Sequence, residues 1–232
     1  MSGKTEQQLI VVRAGVFKAG LLYHVADRNP KSSPMRLLFV HAHPVPESFS
    51  TALFHAATEA ARIKGHDVRV ADLHDEGFNP VMGADERRGY TDENHLPADI
   101  VHHVQALQWA EGLILVYPTW WYAQPAILKG WIDRVWRPGI SFTLRTRSEP
   151  MRPALLNIRL IGVITTFGAP WWFWTFLIGA PGRKIVLRGL RYCTAPRTKT
   201  FWMGLHEMDS QTDATRSRYL DRVRARISRI PL

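Results

Sequence analysis

The residues of this chain best suited to chemistry fall in turns that directly follow apolar runs. In His41-Ala42-His43-Pro44-Val45-Pro46-Glu47-Ser48-Phe49-Ser50, two imidazoles and two hydroxyls precede a helical pattern. A hydroxyl-rich turn that opens a helix offers unpaired N–H groups and the positive end of the helix dipole, which suits a phosphate or pyrophosphate. In Pro118-Thr119-Trp120-Trp121-Tyr122-Ala123-Gln124, three adjacent rings stand between a strand and a helix. Such rings can bury a planar ring system while backbone N–H and C=O groups hydrogen-bond its polar edge. The plainer reading is that they pack over a helix end. A third turn carries Trp171-Trp172-Phe173-Trp174. These rings read as an aromatic lid or substrate wall, with a core or dimer-interface cluster as the alternative. No GxGxxG, Walker or GxSxG signature is present, so each signal is weaker than a fingerprint.

A metal centre is the rival chemistry. His41 and His43 share one face of an extended segment, and Asp72 and His74 end a neighbouring strand, so a zinc site is conceivable. The Ala42-His43-Pro44 run resembles the start of the AHPDDE motif of zinc-dependent deacetylases, but Val45, Pro46 and Glu47 follow and the acidic pair is missing. No metal is expected.

The elements that must position these turns alternate regularly. Apolar, partly β-branched runs predict strands at Arg36–His41, Asp67–Leu73, Gly112–Tyr117, Arg159–Thr165 and Lys199–Met203. Helices are expected over Ser50–Lys64, Ala98–Ala110, Pro125–Val135, Gly182–Leu190 and Asp213–Ile230. Ser48 or Ser50 caps the first and Gly65 stops it, and Pro125 suits an opening turn. Five strands and five helices in alternation predict an α/β doubly wound sheet whose right-handed crossovers leave few topologies, among them the flavodoxin-like five-stranded parallel order 2-1-3-4-5. The first and third strands then adjoin at the switch point, where ligands sit beyond the carboxyl ends. The serine turn and the aromatic turn would face one crevice. Leu160 to Ala180 carries no charge over 21 residues. Its interrupting Gly, Pro and Thr residues and its strand-like first half favour a buried strand over a membrane span.

At these residues the chain resembles the flavodoxin-like NAD(P)H:quinone oxidoreductases, a family that includes DT-diaphorase, bacterial drug-activity modulators and ancillary subunits of potassium-efflux systems. The resemblance runs from about Arg36 to the C-terminus. It rests on His43 to Phe49, on Asp72-Leu73 with Phe78-Asn79-Pro80, on Tyr117 to Val135, and on Thr165-Thr166-Phe167-Gly168. The Pro125-Ala126-Ile127-Leu128-Lys129-Gly130-Trp131 core is the most specific part. The resemblance implies a flavodoxin-like dimer holding FAD, or alternatively FMN. It also implies a hydride moved from NAD(P)H to the flavin and on to a quinone-like acceptor in the same pocket. His43, Ser48, Phe49 and Ser50 would hold the flavin phosphates, Pro118, Thr119, Trp120, Trp121 and Tyr122 the isoalloxazine edge, and Thr165, Thr166, Phe167 and Gly168 its pyrimidine end. Trp171, Trp172 and Phe173 would face the substrate. Backbone N–H groups near Phe167 and Gly168 would offset negative charge developing on the flavin. Where the family carries a tyrosine and then a histidine, this chain has Phe173 and Gly179 on a gap-free alignment, so no acid or base is assigned.

Length and composition agree with one domain over residues 35–232. A chain of 232 residues with 46% hydrophobic content can bury a full α/β core. Residues 1–34 lack a clear period, and Met35 is expected to be the native start, with the upstream part a misassigned or disordered extension. The single cysteine, Cys193, excludes an intrachain disulfide framework and fits a reducing, cytoplasmic setting. Formal charge is +10, of which residues 1–34 supply +3 and residues 216–232 supply +5. The last segment reads as an amphipathic helix with Leu220, Val223, Ile227 and Ile230 inward and its arginines solvated. No nucleic-acid recognition motif accompanies that charge. The alternative to an enzyme is a flavin- or nucleotide-binding regulatory subunit in peripheral contact with a membrane transporter.

Overall fold

The computed structural model describes residues 33–92 and 95–232. The expected extension at 1–34 therefore lies, apart from its last two residues, outside the described residues. In chain order the strands are β1 (Arg36–His41), β2 (Asp67–Asp72), β3 (Gly112–Pro118), the short antiparallel pair β4 (Phe142–Thr143) and β5 (Arg152–Pro153), β6 (Leu160–Thr166) and β7 (Lys199–Leu205). The helices are α1 (Phe49–Ile63), α2 (Ala84–Arg88), α3 (Val101–Trp109), α4 (Ala126–Val135), α5 (Pro181–Lys184) and α6 (Asp213–Ser228). Five of the strands pair in parallel in the order β2-β1-β3-β6-β7, which is the expected 2-1-3-4-5 arrangement.

Burial explains the apolar runs. Every residue of β3 and β6 is buried, because helices cover both faces of the sheet. Alternate residues point to opposite sides. Leu38, Val40, Leu113, Leu115 and Val163 pack with Val104, Leu107, Leu128 and Trp131 from α3 and α4. Leu37, Phe39, Ile114, Val116 and Ile164 pack with Leu53, Phe54, Val223 and Ile227 from α1 and α6. In α6 the first core position is taken by Tyr219, not by the expected Leu220, which is only half-buried. Its arginines are not all simply solvated, since Arg226 lies 4.2 Å above the Phe201 ring.

The helix ends follow their residues. The Ser48 hydroxyl accepts the Thr51 N–H at 3.1 Å, and Gly65 adopts the left-handed φ of 92° that stops the chain after α1. The helix expected at Gly182–Leu190 is instead the single turn of α5 running into a π turn at Ile185–Leu190. The expected Ala98–Ala110 helix opens as a 3₁₀ turn at Ala98–Ile100 before α3. Helix α4 is anchored to the segment after β2. Buried Arg134 donates to Glu86 at 2.9 Å, to Asp99 at 2.8 Å and to the Asn79 carbonyl at 2.7 Å. With its donors satisfied in this way, the guanidinium can be buried without a large unpaired-charge penalty. The uncharged run Leu160–Ala180 divides into β6 and a loop with a π turn at Phe173–Leu177. Among the described residues no helix is long and apolar enough to cross a membrane. Cys193 is buried, and burial raises its thiol pKa, so it is a packed residue and a poor nucleophile.

Candidate functional site

Strand β3 delivers the aromatic turn to the carboxyl edge of the sheet. The Thr119 N–H donates to the Thr166 carbonyl at 2.8 Å, and the Thr119 and Thr165 hydroxyls lie 2.8 Å apart, which ties the turn to the end of β6. Trp120 and Ala123 then exchange two backbone hydrogen bonds of 3.2 and 3.1 Å. They close a two-residue turn whose central residues, Trp121 and Tyr122, have φ of 48° and 65°. Left-handed φ at both positions is type I′ geometry, which ordinarily takes Asn-Gly. Bulky residues held there cost on the order of 1–3 kcal/mol each and persist only where the surroundings enforce them.

The surroundings here are the segment after β6. The Tyr122 carbonyl accepts from the Trp174 indole at 3.2 Å and from the Gly182 N–H at 3.3 Å, and the Gln124 amide donates to the Gly182 carbonyl at 3.1 Å. Gly182 eases this approach, because a Cβ there would stand 3.1 Å from the Tyr122 oxygen and crowd it. Trp174 itself is buried, stacked on Trp202 at 5.6 Å and packed against Phe167 at 4.6 Å. Trp121 is left 91% exposed. The turn therefore spends backbone strain on presenting a ring to the outside, a pattern typical of ligand sites.

The aromatic turn forms one wall of a cavity of about 450 Å³, and Thr166, Phe167 and Gly168 form the other, with Met208 and Asp209 closing one end. An adjoining recess of about 320 Å³ shares Thr119, Trp121, Phe167 and Gly168 and extends to Tyr122 and Ala169. Thr165 sits behind this surface, fully buried, and supports Thr119. The Phe167 N–H donates to the Leu205 carbonyl at 2.8 Å. That corrects the expectation that it faces a ligand, since a committed donor cannot also offset ligand charge. A carboxylate oxygen of Asp209 lies beside Gly168, 3.5 Å from where a Cβ would be.

The serine turn reaches the same crevice through His43, whose ring is 6.0 Å from that of Trp120. Its Nδ1 accepts the Val45 N–H at 3.0 Å, and burial lowers its pKa. Ser48 is occupied as the cap of α1. Phe49 packs against Tyr219 at 6.5 Å, on the core side of α1. Ser50 is buried in the first turn with its hydroxyl unpartnered, and that turn carries no acidic residue. An orphaned hydroxyl in a first helical turn without acidic residues fits a phosphate-bearing group. Trp171 and Trp172 line neither cavity and are 56% and 59% exposed. Phe173 touches the back of the turn, 6.1 Å from Tyr122.

Three residues lining or backing the crevice escape sequence reasoning. His206 stacks on Phe167 at 4.1 Å with 4° between the planes, and its Nδ1 donates to the Ala169 carbonyl at 3.2 Å. Met208 and Asp209 follow it in the same turn. All three lie beyond β7, whose end was expected two residues early, and the rule that ligands sit past strand carboxyl ends points to this turn once the strand is extended to Leu205.

His41 is a positioning residue. Its Nδ1 donates to the Val116 carbonyl at 3.3 Å, its Nε2 lies 3.1 Å from the Thr51 hydroxyl, and its ring stacks on Phe54 at 4.7 Å. It thus joins β1, β3 and the first turn of α1, and its nitrogens are not available to a metal shared with His43. Burial, partly opposed by Asp72, pushes its pKa from 6.5 down to about 4. The unfolded chain therefore binds an extra proton between those values. Stability is complete above pH 6.5 and falls toward pH 4, by about 1.4 kcal/mol for each pH unit. Denaturant unfolding should give a free energy about 2 kcal/mol lower at pH 5 than at pH 7 from this group. A His41→Gln variant should show a flatter dependence, and equal slopes in the two proteins would refute the assignment.

Similarity to known proteins agrees with this geometry. Residues 35–227 match the family model described as flavodoxin-like fold. A ribosyldihydronicotinamide dehydrogenase-like protein of Penicillium crustosum is 35% identical over 131 residues, covering 50% of this chain and 49% of that protein. NAD(P)H dehydrogenase (quinone) 1 of Rattus norvegicus is 32% identical over 150 residues, covering 58% of this chain and 54% of that protein. The solved NAD(P)H:quinone oxidoreductase from Methanothermobacter marburgensis superimposes with a TM-score of 0.74 at 25% identity, over 85% of this chain and 100% of that one. The chain spans about half the length of the curated relatives it matches.

Proposed function

The chain belongs to the flavodoxin-like fold family, and from that premise we propose that it is a flavin-dependent oxidoreductase passing a hydride from NAD(P)H to a quinone or similar acceptor. The observation that carries the proposal is the strained Trp121-Tyr122 turn facing Thr166 to Gly168 across one crevice. Flat walls of rings and backbone, with few ionisable groups, suit a planar heteroaromatic ligand better than a charged or flexible one. Relatives named as quinone-reducing NAD(P)H dehydrogenases and oxidoreductases support the same chemistry.

A bound flavin would supply the centre that accepts and releases hydride, and the chain's own task is to hold and orient. Trp120, Trp121 and Tyr122 would cover one edge of the ring system, and Thr166, Phe167 and Gly168 the other. Ser50 and the opening N–H groups of α1 would take the phosphates, with His43 at the junction. FAD is the form proposed, with FMN the alternative. A homodimer is proposed as well: Trp171, Trp172, Phe176 and Leu177 form an exposed apolar group of the kind that a second copy covers.

The test is an absorbance spectrum of the purified protein, mass identification of the released cofactor, and anaerobic addition of NADPH. A flavin band that bleaches, and returns with a small quinone, is the expected result. A protein that cannot be reconstituted with FAD or FMN would refute the proposal. Flavin binding without turnover would favour the regulatory-subunit reading.

A further inference from the structure

Away from the aromatic turn, the loop after β2 and the first turn of α3 bring together Glu76, His102 and His103. Glu76 Oε2 lies 3.4 Å from His102 Nε2 and 3.5 Å from His103 Nε2, and the three ligand atoms all lie within 4.8 Å of one another. Both separations exceed those of a good hydrogen bond, about 2.7–3.2 Å. They match the edge of a coordination tetrahedron, because ligand bonds of about 2.0–2.2 Å set ligand atoms about 3.3–3.6 Å apart.

The supporting contacts of a metal site are also present. Glu76 Oε1 accepts the Asp72 N–H at 3.1 Å, which turns the other oxygen toward the imidazoles. His103 is buried, with its ring edge-on to Phe78 at 5.0 Å and to Trp131 at 6.5 Å, so its orientation is held by packing. The His102 side chain is 62% exposed, which leaves the outer side of the cluster open to a water or another ligand. Two imidazoles and one carboxylate form a donor set suited to zinc and its late first-row neighbours.

We propose that Glu76, His102 and His103 bind a divalent ion of the zinc type, which pins the loop after β2 to the start of α3. The full chain, stripped with EDTA and exchanged into metal-free buffer, would be titrated with Zn²⁺ against a chromogenic zinc indicator, with elemental analysis for stoichiometry. Because His102 and Glu76 are not core residues, His102→Ala and Glu76→Gln should retain the parent circular dichroism and metal-free melting temperature. One tight equivalent per chain is expected in the parent, weakened at least about 100-fold in each variant. Zinc should raise the melting temperature of the parent and of neither variant. Absence of a tight equivalent, or equal binding by parent and variants, would overturn the proposal. Flavin content, measured separately, should be the same in all three proteins, which keeps this result independent of the proposed oxidoreductase activity.

Discussion

Replacing Trp121 by asparagine is expected to weaken flavin binding by about 10- to 100-fold while leaving the fold as stable as the parent or up to about 1 kcal/mol more stable. The two effects separate because of how the residue is held. Its side chain is 91% exposed, so its removal costs the core almost nothing. Its φ of 48° is one that asparagine adopts with little penalty and tryptophan does not. A ring covered only when ligand is present contributes about 1.5–3 kcal/mol through burial alone, which converts to the stated loss of affinity. Fluorescence titration of apoprotein with FAD and thermal melting of the same samples would check both halves. Tyr192→Asn is the control, since Tyr192 is exposed, lies outside both cavities and is not part of the apolar group assigned to the second copy. Parent-like affinity in Trp121→Asn, or equal losses in the two variants, would remove the turn from the site.

Gly130→Ala should destabilise the protein by about 3 kcal/mol, the upper part of the usual range for overpacking. In a helix interior this substitution ordinarily gains about 0.5–1 kcal/mol. In α4 the added Cβ would fall 2.3 Å from the Pro80 oxygen, 2.4 Å from its Cβ and 2.5 Å from its Cα. A backbone cannot swing aside as a flexible side chain can. Pro80 is further restrained by its own ring and by Asn79, whose carbonyl is held by Arg134 at 2.7 Å. For a domain of this size the melting temperature should drop by about 6–12 °C. Gly189→Ala, which meets nothing within 4 Å, should melt close to the parent. A Gly130→Ala protein that also does so would mean that the helix and the Phe78-Asn79-Pro80 segment are not packed as described.

The same contact accounts for two sequence segments that share no obvious chemistry. Phe78-Asn79-Pro80 and the glycine of Ala126-Ile127-Leu128-Lys129-Gly130-Trp131 belong together because one fits only against the other. Sequence order cannot display such a pairing, since the two segments are 50 residues apart and meet only after the sheet has formed. The short elements were illegible for a different reason. Helix α2 and the β4–β5 pair are five and two residues long, too short to show a hydrophobic period.

The sequence by itself determined the alternation of the five sheet strands with the longer helices and the doubly wound class of the sheet, while the switch point between the first and third strands came with the family resemblance. Long apolar runs buried on both faces leave few other topologies. It also identified the residue types at the crevice, with the serine turn and the aromatic turn on one edge. Only the tertiary structure decided which ring does what. Of the four neighbours Trp171, Trp172, Phe173 and Trp174, the last alone is buried, and it holds a carbonyl 52 residues away. Trp121 points outward because Gly182 and Trp174 enforce a left-handed turn that its own side chain disfavours. Glu76 meets His102 and His103 only because the loop after β2 lies against the start of α3. In irregular segments side-chain direction has no period to read, and distant backbone contacts set it.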